Sequence, residues 1–278
     1  MKKAICHYSF HRRWTAEKWT AERLAEEVKA LGIECVDFHA GMMAPAATAA
    51  ARIRAALSKS GLTLSSLSLG NDFNKENPAE FKAQVDGVKE WIRVAAELRA
   101  PVSRIFGGSI GEKERSDPAA KAKGRQRILD GLGAVVKEAE KNGLVLAIEN
   151  HGGLPCTGEE QVDVIRAVNS PSLKATVDVG NYLEGNQEAE VGTRVAAPQA
   201  GYVHFKDLKK VPDAAARFGR KLEACALGEG GVDLRACLNA LKKAGYDGVV
   251  ALEYEGTEAE TTGVPKSVAH MKKVMKGF

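Results

Sequence analysis

The stretch KNGLVLAIENHGG, Lys141–Gly153, decides how this chain folds. Its first residue closes a helical pattern, Lys121–Lys141, in which Ile128, Leu132 and Val135 recur at spacings of three and four. Gly143 then stands where a helix end turns left-handed, a conformation glycine adopts without steric cost. The run Leu144–Ile148 reads as a buried strand, and Glu149 and His151 follow at its end. Helix, glycine, strand and polar tip form one unit of a pattern that recurs along the chain.

Outward from this unit, the strand candidates are Ala4–Tyr8, Ile33–Phe38, Leu62–Leu67, Val102–Phe106, Leu144–Ile148, Lys174–Val177, Tyr202–Phe205 and Gly248–Leu252. Helical patterns cover Ala16–Leu31, Pro78–Leu98, Lys121–Lys141 and Val232–Ala244. Gly32, Gly61 and Gly245 repeat the role of Gly143, and Pro78 fits a first helical turn capped by Asn77. Alternation on this scale demands a parallel sheet with crossover helices. Eight such strands in 278 residues fit a closed (β/α)8 TIM barrel better than a doubly wound open sheet. No linker rich in Pro, Gly or Ser divides the chain, so a single domain over residues 1–278 is expected, its active site at the C-terminal ends of the strands.

Composition narrows the function. Hydrophobic residues at 44% and charged residues at 27% are those of a soluble globular protein. A net charge of +4, from 40 basic and 36 acidic residues, is too small to argue for nucleic acid. The basic residues are scattered, and the pairs Lys209–Lys210, Lys242–Lys243 and Lys272–Lys273 read as solvated faces. Five cysteines without a CxxC pair give no disulfide framework, and Cys6 and Cys35 fall in apolar strand patterns. The apolar run after Met1–Lys3 breaks at His7, too soon for a signal peptide, and no stretch reaches the length of a membrane span. A cytoplasmic location is the expectation. An apolar outer helix face would suit a homo-oligomer, but nothing fixes an interface.

Four runs carry the chemistry: LAIENH ending at Glu149–His151, ATVDVGN with Asp178–Asn181, YVHFKD with His204–Asp207, and VVALEYEG with Glu253–Glu255. Each sets a carboxylate or imidazole at the end of an apolar strand. A strand cannot cheaply bury a lone ionised carboxylate, so four such ends point to one shared polar centre. Two Glu, one Asp and one His make an oxygen-rich set with a single nitrogen, suited to Mn2+, Mg2+ or Co2+. Asp178 is either a ligand or a buried hydrogen-bond acceptor. Glu253 and Glu255 share a face, with Glu253 nearer the strand. His151 suits a substrate hydroxyl or a loop cap, Lys206 suits an oxygen to be polarised, and Asp207 suits the orienting of Lys206. Gly228–Gly231 precede a helix and offer either exposed N–H groups for an anion or a tight turn. His7, Asp37 and Asn71, near the ends of strands one to three, are further candidates to line the pocket.

Taken together and in order, IENHGG, VDVGN, HFKD, LGEGGVD and LEYEG resemble the xylose isomerase-like superfamily of sugar phosphate isomerases and epimerases, with LSLGNDF (Leu67–Phe73) in keeping. The resemblance runs over most of the chain. It implies a (β/α)8 barrel holding one divalent cation (Mn2+, Mg2+, Co2+ or Zn2+) on Glu149, Asp178, His204 and Glu253. It further implies that Glu149 and Glu253 are the acid/base pair, moving a proton next to a sugar carbonyl through an enediolate. Asn181 stands where many relatives carry His, so substrate contacts at His151, Asn181, Lys206 and Asp207 transfer less directly.

Other classes fare less well. A three-zinc nuclease on the same barrel needs additional His ligands, which LSLGNDF, RIFGG and EACAL do not contain. A metal-dependent dehydratase of a keto-sugar or keto-inositol needs little new machinery, since loss of a β-hydroxyl can follow the same proton removal. A non-catalytic carbohydrate-binding barrel predicts loss of a metal ligand, yet all four candidates are present. The expected partner is a small carbohydrate, with neither nucleic acid nor membrane.

Overall fold

The computed structural model describes residues 1–212, 216–217 and 220–278. Eight strands form the barrel: β1 Lys2–Cys6, β2 Cys35–His39, β3 Thr63–Ser68, β4 Val102–Phe106, β5 Val145–Glu149, β6 Leu173–Asp178, β7 Ala200–Phe205 and β8 Val249–Leu252. Their order in the sheet is β3-β2-β1-β8-β7-β6-β5-β4, and every neighbouring pair is parallel. The principal helices behind them are α1 Ala21–Ala30, α2 Ala46–Ser60, α3 Pro78–Glu97, α4 Pro118–Lys141, α5 Gly158–Val168, α6 Ala189–Ala196, α7 Leu234–Lys243 and α8 Glu260–Val274. The expected TIM barrel is what the chain forms. No helix among the described residues is long and apolar enough to cross a membrane.

The ladder runs unbroken from β3 round to β4, and irregular chain stitches these two edges together. Leu69 N–H donates to Arg104 O at 2.8 Å and Phe73 N–H to Gly107 O at 2.9 Å. The Asn71 side chain replaces a strand neighbour: its amide donates to Phe106 O at 2.8 Å and its carbonyl accepts from Phe106 N–H at 2.9 Å. Asn71 therefore closes the barrel at this seam.

The sequence sorts into two cores by the two-residue period of a strand. Outward residues such as Val36, Phe38, Ile105, Ile148, Val177 and Phe205 join the large cluster with the helices. Inward residues Ala4, Cys35, Val102, Ala147, Tyr202 and Ala251 form a separate cluster inside the barrel. Two residues further along each of those strands come Cys6, Asp37, Arg104, Glu149, His204 and Glu253, all buried. The barrel interior thus changes within one step from small apolar to polar and charged.

Element boundaries follow local chemistry. Thr20, Asn77, Asp117, Thr157 and Asp233 accept first-turn N–H groups at the starts of α1, α3, α4, α5 and α7. Gly32, Gly61, Gly143 and Gly245 all have positive φ, as their positions after helical patterns predict. The pattern Ala16–Leu31 is not one helix. Its Ala16 ends a separate short helix, His11–Ala16, and only Ala21–Ala30 forms α1, because Lys18 turns left-handed at φ 50° and Thr20 starts a new cap. β1 ends at Cys6 rather than Tyr8, and His7–Phe10 form a 3-10 turn. There the Ser9 hydroxyl donates to Leu252 O and accepts from Tyr254 N–H, fastening this turn to the end of β8.

Candidate metal and substrate site

Glu149 and Asp178 are the last residues of β5 and β6, His204 is the penultimate residue of β7, and Glu253 follows β8. One donor atom from each of the four lies within 4.8 Å of the others. All four are buried. His204 Nδ1 is 3.7 Å from Glu149 Oε2 and 3.6 Å from Glu253 Oε1. Between the two glutamates first considered on the eighth strand, Glu253 is the one in this cluster. Glu255 stands at the cavity wall, 3.4 Å from Lys206 Nζ.

The second oxygens of these carboxylates are tied to the scaffold. Asp178 Oδ1 accepts from Gly180 and Asn181 N–H at 2.9 and 3.0 Å, and Glu149 Oε1 accepts from the Asn181 amide at 3.0 Å. Asn150 cross-links the ends of β5 and β6, donating to Asp178 O and accepting from Asp178 N–H. The remaining atoms point inward: Glu149 Oε2, Asp178 Oδ2 and His204 Nδ1 are buried without a hydrogen-bond partner. Leaving such atoms without a well-formed hydrogen bond is costly, even beside a charged neighbour. Three carboxylates and one imidazole around one point fit Mn2+, Mg2+, Co2+ or Zn2+.

Two cations stand among these acids. Lys206 Nζ lies 2.8 Å from Glu253 Oε2 and 3.5 Å from Asp178 Oδ2, and donates to Asn181 Oδ1 at 3.3 Å. Arg104 Nε is 3.1 Å from Glu149 Oε2, its Nη1 donates to Leu69 O, and its guanidinium carbon sits 4.1 Å from the Phe106 ring centroid. The balance sets the carboxylates apart. Burial pushes Glu149 up and Arg104 only partly offsets it. Burial, against the pull of Lys206, moves Asp178 up to about 8. For Glu253 burial acts upward too, but Lys206 and His204 overcome it and hold this carboxyl well below the usual range.

Above the cluster is a cavity of about 250 Å3, walled by Tyr8, His39, Arg104, Phe106, His151 and Glu255, with Glu149 and Glu253 exposed to it. The His151 ring stacks on Phe106 with centroids 4.3 Å apart. The volume suits one small polar molecule rather than a drug-sized one.

Not every candidate gathers here. Asp207 turns away and binds the following loop: Oδ1 accepts from Leu208 and Val232 N–H, and Oδ2 from Gly228 and Gly230 N–H. In the Gly228–Gly231 turn the Gly228 and Gly230 N–H groups thus already meet an anion supplied by the chain itself, and those of Glu229 and Gly231 donate to backbone carbonyls. His7 lies outside the cavity walls, edge-on to Trp14 with centroids 4.1 Å apart, and Asp37 lies behind His204. Arg104 is the main residue the strand-end reading passed over. It carries the same signal as Asp178, a charge inside an apolar run, and counting inward by two from Val102 finds it.

Comparison with known proteins agrees with this architecture. An uncharacterized protein of Methanocaldococcus jannaschii is 27% identical over 194 residues, 65% of this chain and 61% of that one. The inosose dehydratase of Bacillus licheniformis is 29% identical over 146 residues, 47% of this chain and 46% of that enzyme. The matches thus span about half to three-fifths of these relatives' lengths. A solved D-tagatose 3-epimerase-like protein superposes with a TM-score of 0.78 at 18% identity, covering 99% of this chain and 97% of the other. The sequence profile of the xylose isomerase-like TIM barrel matches residues 25–274, and the chain belongs to that family.

Proposed function

We propose that this chain is a divalent-cation-dependent enzyme that isomerises or epimerises a sugar, or a sugar phosphate, by moving a proton beside a carbonyl. The observation that carries this reading is the convergence of Glu149, Asp178, His204 and Glu253 within 4.8 Å beneath a cavity of about 250 Å3. These four residues would hold one Mn2+, Mg2+, Co2+ or Zn2+. Once bound, the cation supplies positive charge where negative charge develops on adjacent substrate oxygens as an enediolate forms.

The chain's own residues divide the remaining work. Glu149 and Glu253 reach the cavity from strands three places apart in the sheet, with their acidities displaced in opposite directions. Two carboxylates of different acidity suit a donor and an acceptor. One takes the proton beside the carbonyl and the other returns it. Return to the other face of the same carbon is epimerisation, and return to the neighbouring carbon is isomerisation. Lys206 would polarise a substrate oxygen, and His151, in the cavity wall, would bind a hydroxyl. Asn181, whose amide already meets Glu149 and Lys206, would hold those two side chains rather than the substrate. Asp207 acts through the loop it anchors.

The test begins with metal content per chain in protein purified without chelator. About one ion per chain, removable by chelator, is expected. Sugars should then exchange a carbon-bound proton in deuterated water, and Glu149→Gln and Glu253→Gln should each lose at least ~100-fold in kcat with unchanged circular dichroism. Absence of metal, with no uptake on adding Mn2+, would sink this reading and favour a non-catalytic carbohydrate-binding barrel.

A second reading, a dehydratase of a keto-sugar or keto-inositol, draws on the 29% identity to inosose dehydratase. The same proton removal followed by loss of a β-hydroxyl yields an unsaturated carbonyl. Growth of its near-ultraviolet absorbance separates the two reactions.

A further inference from the structure

Behind His204, on the side away from the cavity, lies a carboxylate with no outlet to solvent. Asp37 is 0% exposed, and its Oδ2 is 3.5 Å from His204 Nε2. That oxygen accepts from Ser68 Oγ at 2.7 Å. Asp37 Oδ1 and both His204 ring nitrogens are buried without hydrogen-bond partners. A local irregularity builds this arrangement. Val36 pairs with Leu64 and Asp37 with Ser66, so Ser65 is an extra residue in β3. Such a bulge re-aims the side chains beyond it, and Ser68 then reaches the Asp37 carboxylate. Ser65 itself, freed from the ladder, pairs with the Tyr202 hydroxyl at 2.9 Å.

We propose that Asp37 is a positioning residue for the cation site, receiving the Nε2–H of His204 so that Nδ1 is the nitrogen presented to the ion, with Ser68 holding Asp37 in place. The inference rests on the cation-site reading above. The geometry leaves the ring one orientation. Nδ1 faces Glu149 and Glu253, and Nε2 faces Asp37. An imidazole bound through one nitrogen must carry its proton on the other, and that proton needs an acceptor in a site closed to water. Among the described residues Asp37 is the charged group there. A gap of 3.5 Å is loose for a hydrogen bond, and such contacts tighten when the ligand on the far side is engaged.

The experiment uses protein carrying nitrogen-15 in its six histidine rings, read by proton–nitrogen correlation, together with calorimetric titration of Zn2+ alone. In metal-free wild type the His204 ring should show an Nε2–H, and Asp37→Asn should shift that signal. Zn2+ affinity should fall by about 10- to 100-fold in Asp37→Asn. Ser68→Ala, which keeps the carboxylate but frees it to turn, should give a smaller loss. A wild-type ring protonated only at Nδ1, or Asp37→Asn binding Zn2+ within twofold of wild type, overturns the proposal. If wild type takes up no Zn2+, the cation reading fails and the wild-type ring signal alone decides the role of Asp37. Should Asp37→Asn not fold, Ser68→Ala and that same signal remain decisive.

Discussion

Arg104 is the residue on which the electrostatics of the site turn. It is 2% exposed, and its guanidinium faces Glu149 while donating to the backbone of Leu69. Removing one partner of a buried ion pair costs more than the pair contributes, because the survivor is left charged in a poor solvent. Arg104→Met should therefore lower stability by about 3 kcal/mol in urea unfolding. The acidity of Glu149 should also weaken further, since Arg104 is the strongest influence holding it down. An unchanged unfolding midpoint would mean that Glu149 is already neutral in the fold.

At the scale of elements, the loop at Gly228–Val232 depends on one side chain. Asp207 takes N–H groups from Leu208, Gly228, Gly230 and Val232. A Cβ on Gly230 would come within 2.1 Å of Asp207 Oδ1, so only glycine lets the loop close this tightly. Asp207→Asn puts an NH2 against one pair of donors, and should cost about 2 kcal/mol and expose the loop to protease. Intact resistance to proteolysis would show that the loop is held by other means. The elements also mark what the sequence made legible. Strand Val102–Phe106 matches its predicted bounds, and the others lie within a few residues of theirs, because apolar runs bounded by glycine leave little choice. Helices α2 and α8 were not delimited because small residues blur their apolar faces, and α5 and α6 because they are short, 11 and 8 residues. The antiparallel ribbon of Asp207–Lys210 with Arg220–Cys225 also escaped, since its strands are short and strongly charged. Four strand ends were enough to place Glu149, Asp178, His204 and Glu253 together. Arg104 was legible on its own strand by the inward count of two from Val102, whereas the setting of Asp37 against His204 and Ser68 depends on three strands meeting, which no single strand displays.

For the molecule as a whole, acid is a predictable threat. Burial, with Arg104 nearby, lowers the pKa of His39 to about 4, and burial also lowers His7 well below its usual value. Both imidazoles stay neutral in the fold where the unfolded chain would protonate them. Above the unfolded pKa of about 6.5 they contribute no pH dependence. As pH falls through 6.5 the unfolded state gains protons that the folded state refuses. Stability then declines by about 1.4 kcal/mol per pH unit for His39, until about pH 4. Urea midpoints from pH 7 to 5 should therefore fall, and His39→Gln should flatten the decline. A wild-type profile level over that range would contradict the assignment.

The seam between β3 and β4 has its own consequence for motion. Elsewhere around the barrel adjacent strands pair in a ladder, but here the edges are joined by two backbone bonds and by the side chains of Asn71, Asp72, Asn74 and Arg104. Irregular chain and side chains replace a strand ladder here, so amide hydrogens of Leu69 and Phe73 should trade with solvent deuterium sooner than those of β7 and β8. Arg104 lies on the seam and faces Glu149, which links the seam to the floor of the cavity. A ligand that engages Glu149 should therefore slow deuterium exchange of the Leu69 and Phe73 amides, read by the same measurement.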